Sequence, residues 1–339
     1  MILIKIKRLI IFIYTILISI RPIKKAIISL VLNRNAVVSF KSRYNKYDNI
    51  ILNRIICRTL YYLLKVERYN IRIIKLGNDK ATLRYINHIF EVPTENPEIL
   101  DSLIIFIKLL HLNIILVTEL NKDNVEVKIK NLMTLKAPLS LLTPAISSML
   151  SRKYYETWYW DVDVKDKVVV DVGAYIGDSA LFFASRGAKI VYAYEPSKRL
   201  YEIAKKNCSQ RNNILLYNYG LGCLENYAIL AGYGIGMYIN NFAQNGEKVI
   251  LKNFNEELRK IIEKEGEIDV LKLDCEGCEW EFLKCLDKEL IKYVQTIVVE
   301  IHGKDHNVFL NSLKRFGFKV IKRKKLFGHE DISMHILSK

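Results

Sequence analysis

Residues 168–196 read VVVDVGAYIGDSALFFASRGAKIVYAYEP, and this stretch decides the fold. An apolar, β-branched run from Lys167 to Val172 has the composition of a strand buried on both faces. Gly173 and Gly177 then punctuate a tight turn. Asp178 to Ser185 carries a helical apolar pattern, which Gly187 ends. A second apolar strand follows from Ile190 to Glu195. Strand, glycine turn, helix and strand in this order form a parallel crossover unit.

Outward from this unit the alternation continues. Strand candidates are 214–218, 270–274, 296–302, 318–322 and 334–337, with helical stretches at 198–208, 255–264, 279–286 and 308–316. The expected architecture is therefore α/β, a doubly wound Rossmann-like sheet whose ligand sits at the carboxyl ends of its strands. Upstream, residues 33–150 read as a mixed α/β region. Asn96-Pro97-Glu98 and Thr143-Pro144 each carry the cap-plus-proline signal of a helix start. VEVKIK (125–130) alternates like an edge strand. The motif-bearing domain is expected over 151–339.

Charge is distributed unevenly. The 339 residues hold 52 Lys and Arg against 36 Asp and Glu, a net of +16. Residues 1–80 contain 17 of the cations and only three acids, Asp48, Glu67 and Asp79, so nearly all the excess lies there. Residues 1–32 combine six cations, no acids and the uncharged run Leu9–Ile20. Twelve residues fall short of the ~20 a spanning helix needs. No small-x-small cleavage site follows, so the segment is expected to remain attached. It suits the surface of a membrane, with apolar groups in the headgroup boundary and cations toward anionic lipid. The protein is accordingly expected to be cytoplasmic and peripheral at the inner face of the membrane. A buried element of the N-terminal region and a phosphate-holding surface for nucleic acid are the alternatives; no nucleic acid is expected as partner.

The chemistry concentrates in Asp171-Val-Gly173-Ala174-Tyr175-Ile-Gly177-Asp178. A dinucleotide fingerprint would place glycine where Asp171 stands. An anion there repels a pyrophosphate and suits a ligand bearing an ammonium and a sulfonium. Glu195 ends the second strand 24 residues after Asp171, about the separation at which an acid reaches a ribose diol. Cys275-x-x-Cys278 lies within an acidic block and reads as two small packing residues. Gly232 to Gly236 reads as a plain turn.

DVGAYIGD, AYEP, LKLDCEGCEWEFL and VVEIH, in that order and spacing, resemble the FkbM-type family of S-adenosylmethionine-dependent methyltransferases over residues 150–339. The block Lys272, Asp274, Glu276, Gly277, Glu279 is the most specific element. The resemblance implies the seven-stranded methyltransferase sheet with an antiparallel last strand, S-adenosyl-L-methionine as cofactor, and O-methylation of a small-molecule, glycan or glycolipid hydroxyl. Carried over, Asp171, Gly173, Ala174, Tyr175, Gly177 and Asp178 line the methionine part of the cofactor. Glu195 accepts from both ribose hydroxyls, and the stretch from Asn218 to Gly222 flanks the adenine. Asp274 lies where cofactor and acceptor meet. Asp274, Glu276 and His302 are the candidate bases, since a sulfonium donor leaves the protein only positioning and proton removal. His302 titrates in the useful range unless a structural bond to Glu300 occupies it. Glu279 is expected to cap the following helix. A divalent metal held by Asp274, Glu276 and His302 is the alternative, and none is expected. A non-catalytic assembly module and a nucleic-acid methyltransferase are the rival functions.

Overall fold

The computed structural model describes residues 112–120, 124–150, 161–232, 238–239, 246–303, 305–325 and 332–339, five earlier strands, and Phe106, Leu109 and Leu110. Residues 1–32, the helix start at Asn96 and Tyr233 to Gly236 lie outside the described residues. The chain divides into two compact units, Met1–His111 and Leu112–Lys339. That division falls upstream of residue 150, where the recognisable motifs begin.

In the first unit β1 (Ala36–Lys41) pairs antiparallel with β2 (Tyr47–Leu52). Strands β3 (Ile71–Leu76), β4 (Lys80–Tyr85) and β5 (His88–Pro93) form an antiparallel meander. Short connections of this kind favour antiparallel neighbours.

The second unit opens with β6 (Ile115–Leu120), β7 (Val125–Ile129) and β8 (Met133–Ala137) in one antiparallel sheet, followed by α1 (Leu139–Leu150). Two expectations are corrected here. VEVKIK is the middle strand, not an edge, because β6 and β8 pair with its two sides. Thr143-Pro144 does not start the helix. Leu141 and Leu142 already donate to the Pro138 carbonyl, so α1 begins at Leu139 and Pro144 sits inside it.

Next come β9 (Val168–Val172), α2 (Asp178–Ser185), β10 (Ile190–Tyr194), α3 (Lys198–Cys208) and β11 (Ile214–Tyr217). Strands β12 (Gly220–Gly222), β13 (Asn226–Ala231), β14 (Tyr238–Ile239) and β15 (Glu247–Asn253) make a separate four-stranded sheet. The chain returns through α4 (Phe254–Glu265), β16 (Ile268–Leu273), α5 (Cys278–Cys285), β17 (Val294–His302), α6 (His306–Lys314), β18 (Lys319–Lys325) and β19 (Ile332–Ser338). The seven-stranded order is β11-β10-β9-β16-β17-β19-β18, parallel except for β19, which runs antiparallel to both neighbours. This is the sheet expected from the sequence.

The order reverses between β9 and β16, so the carboxyl ends of β9, β10, β16 and β17 share one crevice. Burial holds these strands in place. Every residue of β9 is buried, and Phe254, Phe282, Phe309 and Phe318 fill the helix-to-sheet layer. At roughly 1.5–3 kcal/mol per buried large apolar side chain, this layer anchors the sheet. The sheet β6–β8 docks on α3 by polar bonds: Lys136 N donates to Asn207 Oδ1 (2.9 Å) and Gln210 Nε2 to the Thr134 carbonyl (2.7 Å).

A candidate cofactor and acceptor crevice

The glycine turn leaves β9 with Gly173 at φ 84°, Tyr175 at 52° and Gly177 at 80°. Only glycine fits at 173. A Cβ there would lie 2.0 Å from the Asp274 carbonyl oxygen and 3.2 Å from Cys275 Cα. The first motif and the acidic block thus meet backbone to backbone. At 177 a Cβ would sit 2.7 Å from Cys208 Sγ, so its absence lets α2 pack on α3. Gly173 N and Ala174 N both donate to the Tyr194 carbonyl, which ties the turn to β10. The Tyr175 hydroxyl reaches the Leu141 carbonyl at 3.4 Å, bringing α1 beside the turn.

Asp171 is fully buried beneath this turn. Its carboxylate accepts from Ser179 Oγ (2.6 Å) and pairs with Lys272 Nζ at 2.8 Å. Lys272 is itself buried, donates to the Gly173 carbonyl (2.9 Å) and lies 3.8 Å from Asp274 Oδ2. Burial would lower its pKa, but Asp171 and Asp274 outweigh that and hold the ammonium above its usual range. Asp171 therefore supports the turn through Lys272 and Ser179. Sequence reasoning gave neither of these partners a role, although Lys272 stood in the quoted block. A lysine inside a buried strand run was the available signal, since a lone charge there needs a partner.

Asp178, in the first turn of α2, is buried, and burial pushes its carboxyl up to about 7 against the pull of Lys272. Its Oδ1 is buried without a hydrogen-bond partner among the described residues. Glu195, just past β10, accepts Tyr175 N on Oε2 (2.9 Å) and Ser197 N on Oε1 (2.8 Å). Burial still dominates and raises its carboxyl to about 8. Asn218 Nδ2 donates to the Glu195 and Pro196 carbonyls at 3.0 and 3.1 Å. It fixes the Glu195-Pro196 backbone.

On the other side of the crevice, Asp274 N donates to the Val172 carbonyl, which continues the β9–β16 pairing. Glu276 follows at φ 55°, a left-handed conformation unusual for this residue type, and Gly277 at 113°. Glu279 is fully buried and accepts Gly277 N (2.9 Å) and Cys275 N (3.1 Å); instead of capping the helix that follows, it closes the loop that precedes it. His302, ending β17, lies between acids: Nδ1 is 3.2 Å from Glu279 Oε1, and Nε2 is 3.2 Å from Glu276 Oε2 and 3.4 Å from Glu300 Oε1. Burial would lower the ring, but the bonds to Glu279 and Glu300 prevail and raise it to about 11. His302 thus differs from the near-neutral base expected from sequence. Burial likewise carries the Glu276 carboxyl up to about 8. Cys275 and Cys278, read as packing residues, form a disulfide, because two left-handed residues between them fold their Cα atoms to 5.4 Å. Among the described residues no group of three or more His, Cys, Asp and Glu is arranged to hold a metal ion.

The observations fit S-adenosylmethionine. The orphaned buried Asp178 oxygen, at the start of α2, and the Glu195 carboxyl, just past β10, offer acceptors to an amino-acid head and a ribose diol.

Comparison with known proteins finds a matching family domain. Residues 171–320 match the methyltransferase FkbM domain, an S-adenosylmethionine-dependent methyltransferase domain. AMB antimetabolite synthetase AmbE of Pseudomonas aeruginosa is 27% identical over 203 residues, 46% of this chain; the chain spans only 10% of that protein. Among solved structures, Synechocystis magnesium protoporphyrin IX methyltransferase with bound SAM covers 59% of this chain and 83% of its own, at 12% identity and TM-score 0.36. Aeropyrum pernix fibrillarin with natively bound S-adenosyl-L-methionine covers 66% and 94%, at 13% identity and TM-score 0.37.

Proposed function

Taking the S-adenosylmethionine-dependent methyltransferase FkbM domain that this chain carries as the premise, we propose that it methylates a hydroxyl group of a glycan, glycolipid or related metabolite. The observation that carries this reading is the pair Asp274 and Glu276 at the tip of β16, facing the glycine turn across a backbone contact. A carboxyl raised to about 8 suits removal of a proton from a hydroxyl during transfer. S-adenosylmethionine, when bound, supplies a methyl group already activated on a sulfonium.

The chain's residues do the rest. Gly173, Ala174 and Tyr175 present the turn, and Asp178 offers its orphaned oxygen to the ammonium of the cofactor's methionine part. Glu195 accepts from the ribose hydroxyls. Asp274 and Glu276 orient the acceptor hydroxyl and take its proton. His302, held by Glu279 at Nδ1, lies with Nε2 3.2 Å from Glu276 and 3.4 Å from Glu300 and pairs with both. Such orientation is the main catalytic contribution available when the donor is intrinsically reactive.

Residues 1–32 support a membrane-surface setting through their charge and apolar run. Among the described residues no helix is long and apolar enough to cross a membrane. The test is incorporation of radiolabelled methyl from S-adenosylmethionine into lipid and glycan extracts of cells lacking the gene. Label in a base-stable ether fraction supports O-methylation of a hydroxyl. Label confined to RNA or DNA would refute it in favour of the nucleic-acid alternative.

A further inference from the structure

The acidic loop of the crevice contains a covalent element that methyl transfer does not require. Cys275 and Cys278 are joined by a disulfide. The ring it closes contains Glu276 at φ 55° and Gly277 at 113°. A non-glycine residue held left-handed persists only where its surroundings enforce it. Here the enforcing groups are the disulfide and the buried Glu279 carboxylate, which accepts both Cys275 N and Gly277 N. The disulfide therefore bears on three features at once: the strained Glu276, its contact with His302, and the Asp274–Cys275 backbone packed on Gly173.

The two sulfurs differ in access. Cys275 is half-buried and Cys278 is buried at the start of α5. Cys275 Sγ lies 3.7 Å from Glu279 Oε1. A disulfide that is partly exposed and closes a ring around a left-handed residue is of the labile, exchangeable kind. The other described cysteines, Cys208, Cys223 and Cys285, are free.

We propose that Cys275 and Cys278 are a redox-active pair that exchanges with a low-mass thiol/disulfide couple and thereby sets the position of Asp274 and Glu276. In the oxidising direction the Cys275 thiolate attacks one sulfur of an external disulfide, forming a mixed disulfide and releasing one external thiolate. Cys278 then attacks Cys275 Sγ, the intramolecular bond forms, and the second external thiolate leaves. Two electrons pass from the pair to the external disulfide, and the two cysteine protons go to the two departing thiolates. Reduction by an external thiol is the reverse. With the bond open, Glu276 is free to leave the left-handed region, and its hold on His302 loosens. The consequence for the crevice rests on the methyltransferase reading; the thiol chemistry does not.

The test equilibrates the full chain with oxidised or reduced glutathione, traps thiols by alkylation and maps peptides. In oxidised glutathione the peptide containing residues 275–278 should resist alkylation while Cys208, Cys223 and Cys285 react after unfolding. In reduced glutathione it should take up two alkyl groups. Amide exchange over residues 274–278 should quicken about ten- to thirtyfold on reduction, as expected when a short covalent ring opens. Cys275→Ser should show the fast exchange in both buffers, and reduction of the unmutated chain gives the same readout without a substitution. Full alkylation of the pair in oxidised glutathione, or exchange unchanged by reduction, overturns the proposal. Calorimetry with S-adenosylmethionine in both buffers separates the two readings. Weaker binding on reduction supports the coupling, whereas no binding in either buffer refutes the cofactor crevice and leaves the alkylation result to decide the redox pair.

Discussion

S-adenosylmethionine affinity should rise with pH, and Glu195 should be the reason. Its carboxyl is buried and held up at about 8, with burial outweighing the N–H bonds from Tyr175 and Ser197. A ribose diol donates hydrogen bonds, so it binds the carboxylate and not the acid. Binding therefore drives off a proton and becomes tighter as pH rises through the free-state value. With that value at about 8, roughly a tenth of the free protein is anionic at pH 7 and nine-tenths at pH 9, a change of about ninefold in affinity. Asp178, raised to about 7, contributes on the acid side of this window. Glu195→Gln isolates the effect. Titration calorimetry at pH 7, 8 and 9, in buffers of different ionisation enthalpy, counts the released proton directly. The variant should bind ten- to a hundredfold more weakly at pH 9, from the loss of charge-assisted bonds worth about 1.5–3 kcal/mol, and should lose the slope. An affinity flat between pH 7 and 9, or a slope unchanged in Glu195→Gln, would refute the assignment of the ribose to Glu195.

Asp274→Asn should lower turnover by about 10²–10⁴ while leaving calorimetric cofactor affinity within a few-fold, as expected for a group acting on the acceptor proton. Gly173→Ala should destabilise the second unit by more than about 2 kcal/mol, because φ 84° disfavours a side chain and the Cβ would enter the Asp274 carbonyl; tryptophan fluorescence in urea reads this unit, since Trp158, Trp160 and Trp280 all belong to it. His335 is buried, and burial with Arg323 lowers its ring to about 4. The unfolded chain then binds a proton that the native state refuses, so stability is full above about pH 6.5 and falls toward pH 4 by up to about 3 kcal/mol. Urea midpoints of His335→Gln should lack this share of the slope, and a slope identical to that of the unmutated chain would refute it.

Much of this was legible because it is local. Asp178–Ser185 and Lys198–Cys208 are helices with the limits read from the sequence, since glycine, serine and lysine mark their ends. The buried strands Val168–Val172 and Ile190–Tyr194 likewise declare themselves by unbroken apolar runs. What escaped depends on distant partners. The Asp171–Lys272 pair joins residues 101 positions apart through adjacent strands. The sheet β12–β15 was missed because Gly220-Leu221-Gly222 looks like a turn until Leu251 to Asn253 pair beside it. The surroundings of His302 depend on distant residues too, because its three acids converge from β17, the acidic loop and α5. The Cys275–Cys278 bond depends on a left-handed glutamate, which no propensity anticipates.

The four strands whose tips hold the site, β9, β10, β16 and β17, stand side by side in the middle of the sheet, while β12–β15 forms a sheet of its own. For protein engineering this separates two kinds of change. Substitutions on the outward face of β13 and β15, at Tyr227, Lys248 and Ile250, alter the protein's surface without moving a strand that carries a reacting group. A library confined to those positions should retain cofactor binding in most of its members, so new surfaces can be explored on an unaltered catalytic frame.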